Sequence, residues 1–220
     1  MESSKIIEKI DDIYLKLQIP PWLQLHMKRT AEFAEIICDN FELDVNKDDI
    51  IARNLLHDLG NVIKMKLDTD FSKKLAKDSG DEKGMDFWKE VQRKIIAKYG
   101  KDELEATRKM VREINANENI IELIENAEFF KNVETLKSTE WERKICAYSD
   151  QRIGPYGILE LDERYEEHKN RYKRDKEYHS KLRMDCFEAG LEIEKEIKKH
   201  IKLKLGNETI NQILRLKYNQ

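Results

Sequence analysis

The sequence predicts an all-α fold, on three observations. Apolar residues recur at spacings of three and four, the period of a helix with one buried face. Only eight glycines and three prolines punctuate the 220 residues, too few for a β-rich fold with a turn every 8–12 residues or so. No internal repeat or low-complexity linker interrupts the pattern.

A first helix is expected over residues 4–17, with Ile6, Ile7, Ile10, Ile13 and Leu17 on one face. Pro20-Pro21 separates it from the next and suits a first helical turn, where a missing N–H is no loss. The second helix, residues 21–41, carries the stripe Leu23, Met27, Thr30, Ala34, Ile37 and Phe41, with His26 four residues before Thr30 on the same stripe. The third starts near Asn46 or Asp48, either of which can cap it. Its apolar positions are Ile50, Ile51, Leu55, Leu56 and Leu59, and Gly60 is expected to end it in a left-handed cap. Residues 68–84 are polar and contain Asp-Ser-Gly and Lys-Gly. They read as a loop of about 15 residues, long enough for a lid. Helices follow over residues 85–99, 102–114, 119–129 and 139–152. The last is anchored by Trp141, Ile145 and Tyr148 and stopped by a turn at Gly154-Pro155. Residues 161–205 form one long charged helix, or two with a break near Asp175. Gly206-Asn207 ends it, and a short amphipathic helix with Ile210, Ile213, Leu214 and Leu216 closes the sequence.

Composition narrows the function classes. The apolar fraction is 40%, enough for a core, and the charged fraction is 39%. The 41 basic and 44 acidic residues are interspersed, which argues against a dedicated nucleic-acid surface. No apolar run reaches the length of a membrane span, and the first residues lack the pattern of a secretory signal. Cys38, Cys146 and Cys186 are odd in number and far apart, which excludes a disulfide framework and a CxxC knuckle. The expectation is a protein of a reducing cytoplasm.

The histidines divide into two groups. His168, His179 and His200 lie in the charged C-terminal region and read as solvated, whereas His26 and His57 lie on apolar helices. Asp58 shares a face with Ile51 and Leu55, where an unpaired carboxylate would cost several kcal/mol (roughly, after relaxation). Asp150 lies near Cys146 and Ala147 in the last turn of its helix. Two imidazoles and two carboxylates from three helices make an N2O2 set for one divalent ion: Mn, Ni, Fe, Co, Mg or Zn.

The spacing His26 … His57-Asp58 … Asp150, with Leu-Leu-His-Asp-Leu-Gly around the pair, resembles the HD-domain superfamily of metal-dependent phosphohydrolases. The likeness covers about residues 20–165. It implies an HD-domain-like helical bundle over residues 1–165, with residues 166–220 as a helical extension packed on it. It also implies His26, His57, Asp58 and Asp150 as ligands of a single metal ion, since no histidine lies between His57 and His168 for a second. Asp58 would further accept a hydrogen bond from the attacking water. Asn61 stands where many members carry a phosphate-contacting lysine, and Lys64, one turn on, is the nearest substitute. Arg152 and Arg29 are the other expected phosphate contacts. The implied substrate is a small phosphorylated compound, a nucleotide by family analogy, and the C-terminal helices offer a surface for a homodimer. Asn61 also motivates an alternative, a catalytically inactive nucleotide-binding or regulatory module. A helical adaptor pairing through residues 161–205 is a third class, weakened by the charges at Asp175, Lys176 and Glu177.

Overall fold

The computed structural model describes residues 1–171 and 180–202. Among them the chain is helical, as predicted, apart from one short hairpin. The first expected helix is two: α1 (Ser3–Glu8) and α2 (Ile10–Leu17), broken at Lys9. Gln18 then turns left-handed, at φ 54°, and leads to Pro20 and the helix α3 (Pro21–Asp39). Asn46 caps α4 (Lys47–Leu56) by accepting the Asp49 N–H at 3.2 Å.

Gly60 departs from expectation. It ends no helix in a left-handed cap but lies inside a 3₁₀ segment, Leu59–Lys64. Its N–H donates to Thr107 Oγ1 at 2.9 Å, and a β-carbon there would stand 2.0 Å from the Glu103 carbonyl oxygen. The glycine is required because the backbone after His57-Asp58 presses against a neighbouring helix, Glu103–Glu113. Gly60→Ala is therefore expected to destabilise the fold by about 1–3 kcal/mol, the usual range for overpacking, and to displace Asp58. A thermal unfolding scan with metal titration of the variant checks both.

Residues 68–84 are not one loop. They contain α5 (Asp70–Asp78), capped by Thr69, which accepts the Ser72 N–H at 3.1 Å. Phe71 and Leu75 are one turn apart and Ala76 is buried. That short stripe is diluted by lysines and aspartates, so the polar composition hid the helical period. Then come α6 (Gly84–Tyr99), α7 (Glu103–Glu113), α8 (Glu118–Asn126), a 3₁₀ turn at Phe129–Lys131, α9 (Asn132–Lys137) and α10 (Trp141–Arg152). The turn at Gly154-Pro155 is the tip of a two-stranded hairpin that pairs Ile153 with Ile158. The C-terminal charged region gives α11 (Leu161–Arg171) and α12 (Lys181–Lys199). Asp175 and residues 203–220, with the expected break and closing helix, lie outside the described residues.

Two apolar clusters meet along α3 and α4. One gathers α1, α2, α4, α6, α7 and α8 around Tyr14, Met27, Leu56 and Met110. The other joins α10, α11 and α12 to Phe33, Ala34 and Ile37 on the second half of α3. The end of α12 is tied to the end of α3 by backbone bonds, Glu42 N–H to the His200 carbonyl and Lys202 N–H to that of Asn40, each 2.9 Å. Trp22 and Trp88 pack edge to face at 5.6 Å within the first cluster, so both serve the core. No helix among the described residues is long and apolar enough to cross a membrane.

Candidate metal centre

Three helix segments deliver the expected ligand set to one point. His26 projects from the second turn of α3, His57 caps the end of α4 with Asp58 next to it, and Asp150 occupies the last turn of α10. His26 Nε2 lies 3.4 Å from Asp150 Oδ1 and 3.6 Å from Asp58 Oδ2. His57 Nε2 lies 3.2 Å from the same Asp150 oxygen and 3.6 Å from Asp58 Oδ1. Donors held about 2.1 Å from a shared ion stand roughly 3.0–3.4 Å apart, so these spacings suit one ion between them. His26, His57 and Asp58 each offer a ligand atom within 4.8 Å of the others.

Burial sets the direction of approach. The His57 side chain is 3% exposed, whereas Asp58 and Asp150 are 23% and 28% exposed. The centre is closed behind the imidazole and open on the carboxylate side. His57 Nδ1–H donates to the Asn54 carbonyl at 2.8 Å, which fixes the ring and turns the Nε2 lone pair inward. Metal-binding histidines are commonly oriented by such a bond.

The charges of the centre reinforce one another. Burial alone would lower the pKa of His57, but the Asp58 and Asp150 carboxylates outweigh it and raise it. Burial likewise opposes ionisation of Asp150, yet His57 and His26 hold its carboxyl well below the usual range. In the metal-free protein a proton on His57 therefore competes with a cation. The raised pKa extends that competition above the ordinary imidazole value of about 6.5. Manganese affinity is expected to fall as pH drops through the raised His57 pKa, with about one proton released per ion bound at pH below it. Calorimetry in two buffers of different ionisation enthalpy reads that proton. The stability linkages have opposite signs: the raised His57 stabilises the metal-free fold at low pH and loses this as pH rises, whereas the depressed Asp150 loses its contribution as pH falls.

The other expected residues divide. Asn61 N–H donates to the Asp58 carbonyl at 2.9 Å and holds the turn that presents the carboxylate. Lys64 is half exposed, with Nζ 3.3 Å from Glu103 Oε1. Arg29 donates to the Pro155 carbonyl at 3.3 Å, joining α3 to the hairpin tip. Arg152 is a correction. Its guanidinium is buried on Phe33 and Tyr148, pairs with Glu194 at 3.1 Å and Glu160 at 3.4 Å, and bonds the Leu159 carbonyl. It locks the hairpin and α12 to α10 and does not reach for a phosphate. Its separation from Asp150 by two residues turns it to the other side of the helix. His168 is a second correction: it is partly buried beside Glu167 rather than solvated. Burial pushes the Cys146 thiol up to about 12, so it is an inert core residue.

Two residues at the centre escaped the sequence. Arg53, one turn before His57, is 1% exposed. It donates to the Ala127 carbonyl at 2.8 Å, to Asn54 Oδ1 at 2.9 Å and to the Cys146 carbonyl at 3.4 Å. Its i,i+4 relation to His57 was a signal, but an arginine between apolar residues reads as surface. Glu128 follows α8. Burial raises its carboxyl pKa, Arg53, Arg108 and Lys64 counter that, and Asp58 adds to it. One of its oxygens is buried with no hydrogen-bond partner among the described residues. No local pattern marks it, because only the fold brings residue 128 into the field of residue 58.

A family model for the HD domain matches residues 24–175 of the chain. That span holds His26, His57, Asp58 and Asp150. No curated protein and no solved structure matches it.

Proposed function

Because the chain belongs to the HD-domain family of metal-dependent phosphohydrolases, we propose that it hydrolyses a phosphate ester or anhydride of a nucleotide or related small compound. The observation that carries this is the convergence of the His26 and His57 Nε2 atoms on one Asp150 oxygen, with Asp58 beside them. His26, His57, Asp58 and Asp150 would hold one divalent ion. When bound, such an ion polarises a phosphoryl oxygen and lowers the pKa of a water. Asp58 lies on the open side of the centre, where it can orient the attacking water and accept its proton. The water oxygen forms the new bond to phosphorus, and the bond to the leaving oxygen breaks with its electron pair. Lys64, half exposed on the 3₁₀ segment that follows Asp58, would offset the charge of a bound phosphate.

The experiment is a panel of nucleoside mono-, di- and triphosphates, read as phosphate and pyrophosphate release with Mn²⁺, Ni²⁺ or Fe²⁺. Release that a chelator stops supports the proposal. Binding of a nucleotide without any product would favour the second reading, an inactive nucleotide-binding module. Asn61 motivates that reading, since it stands where many members carry lysine.

A further inference from the structure

Tyr156 stands where neither the core nor the turn asks for an aromatic ring. It lies at the hairpin tip, in the two-residue turn Pro155-Tyr156 between Ile153–Gly154 and Gly157–Ile158. Such tips favour asparagine, aspartate or glycine, for backbone reasons. Tyr156 belongs to neither apolar cluster and is 54% exposed. A large ring displayed on a tight turn gains the fold nothing, whereas tyrosine is well suited to a contact with a ligand, being apolar over most of its surface.

The ring is held in place from two sides. Arg152 donates to the Leu159 carbonyl at the base of the hairpin, and Arg29 to the Pro155 carbonyl at its tip, the latter at 3.3 Å. Lys74 of α5 lies over the ring, its Nζ 5.0 Å from the centroid. Among the described residues Lys74 pairs with no carboxylate. Phe71, nearly one turn earlier in α5, packs against Arg171 of α11 at 5.1 Å and fixes α5 at a second point.

The tip is tied to two of the helices that carry the metal centre. Arg29 is one turn past His26 on the same side of α3, where side chains three residues apart stand about 5–6 Å from each other. The hairpin starts three residues after Asp150, and six residues of chain, at most about 20 Å, link that ligand to Tyr156. The first strand and α5 both pack on α3. An exposed ring offers a π-face to a planar group, and the ammonium beside it suits a phosphate. A nucleotide carries both. Any base stacks on an aromatic side chain, because every base has a π-face.

We propose that Tyr156 is the stacking platform for the base of the substrate, with Lys74 as the positioning residue that holds the ring. The substrate class is then a nucleoside phosphate, accepted with little regard to which base it carries. The cleavage step rests on the phosphohydrolase proposal above; recognition of the base does not.

The test is calorimetric titration of the chelator-stripped full chain with adenosine 5′-monophosphate and, separately, ribose 5-phosphate, which keeps the phosphate and lacks the base. The nucleotide is expected to bind about tenfold more tightly, the contribution of one stacked base. Tyr156→Ala is expected to remove that difference and leave ribose 5-phosphate unchanged, whereas Tyr156→Phe binds like wild type. Lys74→Gln is expected to weaken the nucleotide about threefold, and Lys74→Arg to restore it, because a guanidinium also lies over an aromatic ring. Manganese affinity should be the same in all four variants. Equal affinity for the two compounds, no binding of the nucleotide, or a Tyr156→Ala variant that binds it like wild type would overturn the platform. If the nucleotide is preferred as expected but no compound of the panel is hydrolysed, the phosphohydrolase proposal fails and the platform stands. If nucleotides are hydrolysed and ribose 5-phosphate binds as tightly as they do, the reverse holds.

Discussion

Asp58→Ala is expected to abolish phosphate release while leaving the helical fold in place. The carboxylate lies 3.6 Å from both ligand imidazoles and on the open side of the centre. On the proposed mechanism its loss would remove an ion ligand and the acceptor for the water proton together. The expected fall in turnover is about 10³-fold or more, roughly 4 kcal/mol of transition-state stabilisation. Asp58 is partly exposed and outside both apolar clusters, so far-ultraviolet dichroism of the variant should match wild type. His57→Ala should lose activity equally, but with a larger stability loss, because it empties a buried site and leaves the Asn54 carbonyl without its donor. Retained turnover in both variants would remove these residues from the chemistry.

Arg53→Ala is expected to have the largest effect on stability. The guanidinium ties α4 to the end of α8 and to α10 through buried carbonyls. Truncation leaves those acceptors unpaired and opens a cavity where the two apolar clusters meet. Breaking a buried charged network costs about 3–5 kcal/mol, and for a domain of this size that lowers Tm by about 10 °C. Activity should fall with it, since Arg53 fixes the helix that presents His57 and Asp58. A thermal scan with Tm unchanged within about 2 °C would show that the network contributes little.

How much was legible follows from the range of each interaction. The helices α3, α6, α7 and α10 were readable because each carries a stripe at its own period. The pairing of His26, His57, Asp58 and Asp150 was readable because an ionisable group on an apolar face needs a partner. Other features depended on contacts between elements. Gly60 looked like a helix stop, but its lack of a side chain serves a close approach to Glu103 and Thr107. Arg152 looked like a phosphate contact, but Glu160 and Glu194 take it up. Glu128 enters the field of Arg53 and Asp58 only through the fold. The charge run of α11 looked solvated because its periodicity does not say that α5 and α12 cover it.

The most direct test of the metal centre is calorimetric titration of the chelator-stripped protein with Mn²⁺, wild type beside Asp58→Ala. One ion per chain bound by wild type, and an affinity at least 100-fold weaker in the variant, is the expected result. Wild-type protein that binds neither Mn²⁺ nor, on repetition, Ni²⁺ or Fe²⁺ would contradict a metal role for the His-Asp set and the hydrolysis built on it.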